Sequence, residues 1–322
     1  MIQLKLWRTC VKGVRTKNGR RSGIWRKKVF TVLLMIMVVC MMSSCGQKEK
    51  RNADIDTDMV NNKPDSRTKN EENKLYVDFI NVGKGDCAII RINNHTYMID
   101  TGYEDTAPDV ISFLQDKGII IIDGLIITHF DKDHVGGASQ IISRFDIKKI
   151  FMPDYEGEGN KYKKFIKYLN KRNLNNIVTR VTEDINIDAD GVKIDIYAPH
   201  MESYAEENDY SLVTKIIYKE DSFLFAGDAE ETRIEELLDN PMLGSDVLKI
   251  PYHGILGKNN IQFIDEVNPK YSIITSDTEE DVSASIVYEL ENIGSEYYFN
   301  CNGNVSCISD GMGNISVHQD ND

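Results

Sequence analysis

Residues 128–137 read THFDKDHVGG and directly follow the apolar run GLII at 124–127. A short apolar run that enters from Asp-Gly and leaves into a polar loop predicts a buried strand. The loop then carries two histidines and two aspartates, His129, Asp131, Asp133 and His134, within six positions. Two carboxylates held this close repel each other unless a proton or cation intervenes. A divalent cation removes the conflict, and a mixture of imidazole nitrogen and carboxylate oxygen suits Zn or a harder metal such as Mn or Fe. A competing structural reading makes Asp133 the cap of a helix beginning near Val135, which explains one aspartate but neither histidine. Gly136 and Gly137 allow close backbone approach where that helix begins.

Outward from this loop the pattern alternates. LYVDFI, CAIIRI and TYMI read as short strands separated by the turn signals VGKGD and NNH. Helical periodicity follows in PDVISFLQDKG, and a second helix is expected from about Val135 to Phe145. The second half repeats this manner, with strands in KKIFMP, VKIDIYAP, SLVTKIIY, SFLFAG, DVLKI and YSIIT and helices between them. In KYKKFIKYLNKR, six cations accompany three aromatics. Tyr162, Phe165, Ile166 and Leu169 nevertheless fall at i, i+3, i+4 and i+7, a core stripe with the lysines on the solvated side rather than a nucleic-acid face. A closing meander carries NG and DG turn signals. Strand meanders mixed with helices in both halves predict an α/β fold in which two β-sheets pack together with helices outside.

Residues 1–28 hold ten Lys or Arg and no acid, and VFTVLLMIMVVCMM at 29–42 is almost wholly apolar. The pair reads as a secretory signal, with an apolar run shorter than the ~20 residues of a stable span. The following MSSC resembles a bacterial lipoprotein signal, which implies a lipid on Cys45 and anchoring at the outer face of the cell membrane; an ordinary signal peptide is the alternative. Residues 46–73 are polar and lack the apolar content of a core, so they read as a flexible linker. The expected organisation is a signal segment at 1–45, a linker at 46–73 and one α/β domain at 74–322. Without the leader, 28 basic residues stand against 51 acidic ones, a net charge of −23, and such a body does not attract nucleic acid over its whole surface. Of the remaining cysteines, Cys87 reads as core, while Cys301 and Cys307 are either a disulfide or two free thiols.

H-x-D-x-D-H-x-G-G after a short apolar strand resembles the metallo-β-lactamase superfamily signature, in the variant with aspartate for the second histidine. NVGKGDCAII, MIDTG, NDYSLVTKI, SFLFAGDAE and LKIPYHG agree with it in order and spacing, and resemble in particular the C-terminal domain of the DNA-uptake channel protein ComEC. The resemblance implies a four-layer αββα sandwich with one or two Zn or Mn ions. It places His129 and Asp131 in a first metal site, Asp133, His134 and His253 in a second, and Asp228 as a bridging carboxylate. Asp100 would orient the ligand loop from behind, and Asp133 or Asp228 would orient the nucleophile. Asp228 followed by Glu231 also reads as a capping box, and His253 alone reads as a packed loop residue. His95, His200 and His318 read as surface or loop residues.

Departures from the pattern are local. No clear counterpart exists for a further first-site histidine between His134 and Asp228, so water or Asn208 would complete that site. Tyr252 and Ile255 stand where histidine and serine are usual in the ComEC-like set, and SDTEEDVSAS replaces a histidine-containing segment. The implied activity is metal-dependent hydrolysis, foremost of a phosphodiester in a small molecule or a nucleic acid. A β-lactam or lactone hydrolase is the second enzymatic reading, and a surface binding module with a decayed site is the third. No protein partner is identifiable.

Overall fold

The structure, a computed structural model, describes residues 73–240 and 242–320. The signal segment, Cys45 and the linker up to residue 72 lie outside the described residues. The strands of the two large sheets run, in chain order, β1 (Leu75–Phe79), β2 (Ala88–Ile92), β3 (His95–Ile99), β4 (Gly124–Ile126), β5 (Ile150–Pro153) and β6 (Val178–Val181). There follow β7 (Ile185–Ala189), β8 (Val192–Tyr197), β9 (Val213–Tyr218), β10 (Asp221–Phe225), β11 (Val247–Lys249) and β12 (Tyr271–Ile274). β13 (Glu296–Phe299), β14 (Val305–Ser309) and β15 (Ile315–Gln319) complete them. The helices are α1 (Ala107–Asp116), α2 (Ala138–Arg144), α3 (Asn160–Arg172), α4 (Glu231–Leu238), α5 (Asn260–Val267) and α6 (Ala284–Asn292).

One sheet has eight strands in the order β15-β14-β1-β2-β3-β4-β5-β6, the other seven in the order β13-β12-β11-β10-β9-β8-β7. Each is antiparallel on one side and parallel on the other. The switch falls at β3 in the first sheet, antiparallel to β2 and parallel to β4. In the second it falls at β10, antiparallel to β9 and parallel to β11.

The strand period of two decides which residues meet. Ile90, Ile99 and Ile126 face inward and pack against Ile194, Ile216, Phe223 and Phe225 of the second sheet. Their neighbours Ile89, Met98 and Leu125 face outward and are covered by Val110 and Leu114 of α1, Ile141 of α2, and Tyr162, Phe165 and Leu169 of α3. The second sheet's outer face, with Leu224, Leu248 and Ile274, is covered by Ile234 of α4, Phe263 of α5 and Ile286 of α6. The molecule is therefore an αββα sandwich, as the sequence implies. The core stripe of α3 is in place, and Lys161 and Lys164 reach across to Glu104.

Among the described residues no helix is long and apolar enough to cross a membrane. Cys87, Cys301 and Cys307 are free thiols. Cys307 lies in the core between the sheets, paired in register with Val77 and Val317, away from any partner sulfur.

Phe79 and Phe225 stack across the sheet interface with ring centroids 5.4 Å apart. Phe79→Ala should cost about 3–5 kcal/mol in chemical unfolding followed by circular dichroism. A loss below ~1 kcal/mol would contradict this packing.

Candidate metal centre

The side chains of the centre sit at or near strand ends, where backbone leaves the ladder and side chains turn into the cleft between the sheets. Asp100 follows β3, His129 follows β4, Asp228 follows β10, His253 follows β11 and Thr275 follows β12. In open α/β sheets such strand ends beside a topological switch are where ligands bind. Gly136 seats the loop: a Cβ there would lie 2.2 Å from the Lys132 carbonyl oxygen and 2.8 Å from the Glu104 nitrogen. Gly227 takes φ +55° against Ser211 and Thr128, delivering Asp228 into the cleft. Asp100, Tyr252 and His253 adopt positive φ of 57°, 51° and 53°. For residues with a Cβ this conformation costs on the order of 1 kcal/mol or more each, and surrounding contacts must enforce it.

Those contacts are hydrogen bonds to the far side of each imidazole. The Thr128 hydroxyl donates to Asp100 Oδ2 at 2.6 Å, so its oxygen is free to accept from His129 Nδ1 at 3.1 Å. His134 Nδ1 donates to Asp100 Oδ2 at 2.8 Å. The Thr275 hydroxyl donates to Asp86 Oδ1 at 2.8 Å and accepts from His253 Nδ1 at 3.0 Å. With each Nδ1 engaged as donor, each Nε2 points to the centre of the cleft. All three Nε2 atoms are buried and without a hydrogen bond. Those of His134 and His253 nevertheless lie 3.3 and 2.8 Å from Asp228 Oδ2, and Asp133 Oδ2 lies 3.7 Å from His253 Nε2. Orphaned imidazole nitrogens gathered on carboxylate oxygens, each backed by a carboxylate or hydroxyl, fit a divalent metal.

Among the described residues four groups of possible donors form here: His129 with His134 and Asp228, Asp133 with His134 and His253, Asp86 with Asp100 and His134, and Asp86 with Asp228 and His253. Asp131 is exposed and enters none of them, although its charge is felt at His129. Asn208 Nδ2 donates to Glu230 Oε1 at 2.6 Å, and the residue stands at the rim of the centre rather than among these groups. His200 is exposed, beside Asp184; His95 and His318 also stand outside these groups.

Two structural alternatives fall. The helix after the ligand loop begins at Ala138 with Gly137 as its N-cap, three residues later than expected, so Asp133 caps nothing. The helix after Asp228 is capped at Glu230, which leaves Asp228 outside its first turn. Asp209 takes that role instead, its Oδ1 accepting the N–H groups of Glu230 and Arg233, both at 3.1 Å.

Four residues of the centre escaped the sequence reading: Asp86, Thr128, Lys249 and Thr275. Asp86 and Lys249 lie inside the quoted segments NVGKGDCAII and LKIPYHG, but only the geometry shows that their side chains turn into the cleft. Lys249 is buried, with Nζ 2.5 Å from Asp86 Oδ2, 3.1 Å from the Gly227 carbonyl oxygen and 3.4 Å from Asp228 Oδ1.

Electrostatics follow from this crowding. Burial pushes the Asp228 carboxyl up, but His253, His134 and Lys249 outweigh it and hold the group well below the usual range. Burial opposes charge on His134, yet Asp228 and Asp100 on either side raise it well above an ordinary histidine. His129 is driven down to about 3 by burial and by the neighbouring His134.

The chain belongs to the metallo-beta-lactamase superfamily, whose profile matches residues 80–274. It is 26% identical to ComE operon protein 3 of Bacillus subtilis (strain 168), covering 62% of this chain and 28% of that protein. It is also 26% identical to Recombination protein 2 of Haemophilus influenzae, covering 62% of this chain and 24% of that one. The chain thus spans about a quarter of the length of these relatives. Among solved structures it is similar to Igni18, a metallo hydrolase from Ignicoccus hospitalis KIN4/I, with a TM-score of 0.46 at 12% identity over 77% of this chain and 99% of that one.

Gly136→Ala must push the ligand loop off Lys132 and Glu104. Overpacking of this kind should cost about 1–3 kcal/mol and weaken Zn or Mn binding measured by competition with a chelating dye. Unchanged metal affinity would show that the loop is not held in this way.

Proposed function

We propose that the protein is a metal-dependent hydrolase that cleaves a phosphodiester. The observation that carries this reading is the gathering of three buried, hydrogen-bond-free Nε2 atoms in one cleft, those of His134 and His253 lying 3.3 and 2.8 Å from Asp228 Oδ2 and that of His253 3.7 Å from Asp133 Oδ2. Asp133, His134, Asp228 and His253 would hold one divalent ion. His129, with Asp228, would hold a second or complete the first, and the exposed Asp131 would have to swing inward to join them. A bound Zn or Mn supplies Lewis acidity and would lower the pKa of water toward ~7.

The chain's own residues do the rest. Asp228 stays ionised, which suits it to hold and orient a nucleophilic water rather than to take its proton. Asp133 is the other carboxylate of the cleft placed to orient the water, or to accept a proton from it. Asp100, through His134, and Asp86, through Thr275 and His253, keep the imidazoles aimed.

A donor set rich in oxygen favours Mn and phosphoryl chemistry over a β-lactam or lactone substrate, and similarity to a protein named for recombination supports the same direction. With a strongly acidic body and the α3 lysines beside Glu104 committed to it, a small-molecule phosphodiester or a nucleic-acid end is a better substrate than a long duplex. We also propose export, with Cys45 as the lipid-bearing residue and the domain tethered outside the membrane, on the strength of the basic and apolar pattern before that cysteine.

The purified protein should carry about one or two equivalents of Zn or Mn and hydrolyse bis-p-nitrophenyl phosphate. His129→Ala should lower kcat/KM at least ~100-fold, since an aimed ligand is lost rather than only its support. Turnover of nitrocefin or a lactone without phosphodiester cleavage would overturn the substrate assignment. Metal-free protein with an intact fold would point to a binding module. Metal affinity should rise with pH through the range in which His134 loses its proton, by up to about tenfold per unit, because proton and metal compete for Nε2; a pH-independent affinity would exclude His134 as a ligand.

A further inference from the structure

The cleft contains a cation of its own. Lys249 is buried at the end of β11, beside a small cavity walled by Phe79, Ala88, Ile99 and Phe225 on its apolar side and by Asp86, Thr128 and Thr275 on its polar one. An ammonium in such surroundings is strongly disfavoured unless it is paired and hydrogen-bonded. Its partners are two carboxylates and a carbonyl: Asp86 Oδ2, Asp228 Oδ1 and the oxygen of Gly227. Burial works against the charge, but Asp86 and then Asp228 raise its pKa above that of an ordinary lysine.

This arrangement divides each carboxylate between two tasks. Asp228 turns Oδ1 to the ammonium and leaves Oδ2 for His134 and His253. Asp86 gives Oδ2 to the ammonium and uses Oδ1 to accept the Thr275 hydroxyl, which in turn accepts from His253 Nδ1. One positive charge thus fixes the rotation of the central carboxylate directly and the aim of His253 through two hydrogen bonds. Without it, Asp86 and Asp228 would be left facing each other in a buried space, a repulsion the fold would relieve by opening.

We infer that Lys249 is a resident cation which keeps the carboxylates and imidazoles of the centre assembled before any metal is bound, and so acts as a positioning residue. The inference rests on the reading of the cleft as a metal centre, but its core, the charge balance among Asp86, Asp228 and Lys249, can be tested separately.

The test compares thermal midpoints of the full-length protein and of Lys249→Met, Lys249→Arg, Asp86→Asn and the Lys249→Met/Asp86→Asn double variant. Each is purified with Mn present and then measured in EDTA and in saturating Mn. Lys249→Met should lose about 10 °C in EDTA and less than about half of that in Mn, because a metal ion restores the missing positive charge. Lys249→Arg, which keeps the charge, should lose a similar amount in both conditions. In EDTA the double variant should regain more than half of the loss seen in Lys249→Met, since removing the Asp86 charge relieves the imbalance. Equal losses for Lys249→Met with and without Mn, together with no recovery in the double variant, would overturn the inference and leave Lys249 a packing residue. If Mn and Zn fail to stabilise the unsubstituted protein, the metal-centre reading fails, and recovery or its absence in EDTA still decides the role of Lys249. Should Lys249→Met not fold even with Mn, the double variant folding where the single does not supports the inference, and failure of both overturns it.

Discussion

Mutual repulsion among buried carboxylates governs this molecule. Asp86, Asp100, Asp133 and Asp228 enter one cleft between the sheets, all of them buried. Two unit charges 4 Å apart interact by about 4 kcal/mol at an effective dielectric constant of 20, so such a group cannot persist uncompensated. Compensation comes from three directions: imidazoles between the acids, threonine hydroxyls behind them, and the ammonium of Lys249 beneath. The hydrogen bonds that settle the acids are the same ones that aim the imidazoles. Satisfying the electrostatics and building the centre are therefore one act rather than two.

The sandwich is what makes the gathering feasible. Asp86, Asp100, His129, Asp133 and His134 belong to the first sheet and its loops, whereas Asp228, Lys249, His253 and Thr275 belong to the second. Neither layer holds a complete set. The strained turn at Tyr252 and His253 is tolerable because its imidazole is tied through Thr275 to Asp86, a residue of the opposite sheet. Conformational cost at one layer is offset by a contact with the other.

Much of this was legible in the residues. Strand and helix periodicity marks the elements and the core stripe of α3, and the composition of THFDKDHVGG points to cation chemistry on its own. The pairing of His253 and Asp228 with that loop was legible through family resemblance, since no local pattern joins positions about a hundred residues apart. Three things were not legible. Helix starts depend on which nearby group accepts the first amides, and Asp209, distant in sequence from α4, outcompeted Asp228. Asp131 shares the loop's composition with Asp133, but whether a side chain faces cleft or solvent depends on local backbone turns that spacing does not encode. Lys249 carries no mark of its own within the strand DVLKI, because its role exists only where three segments meet.

The first strand has an unusual neighbour. β1 pairs with β2 on one side and with β14 on the other, Leu75 standing opposite Ser309. The antiparallel side of the larger sheet therefore closes only when nearly the whole domain has left the ribosome, and such distant pairings form slowly. Until then Leu75–Phe79 has a ladder partner on one side only, so the open edge it presents is among the last features of the sheet to be satisfied.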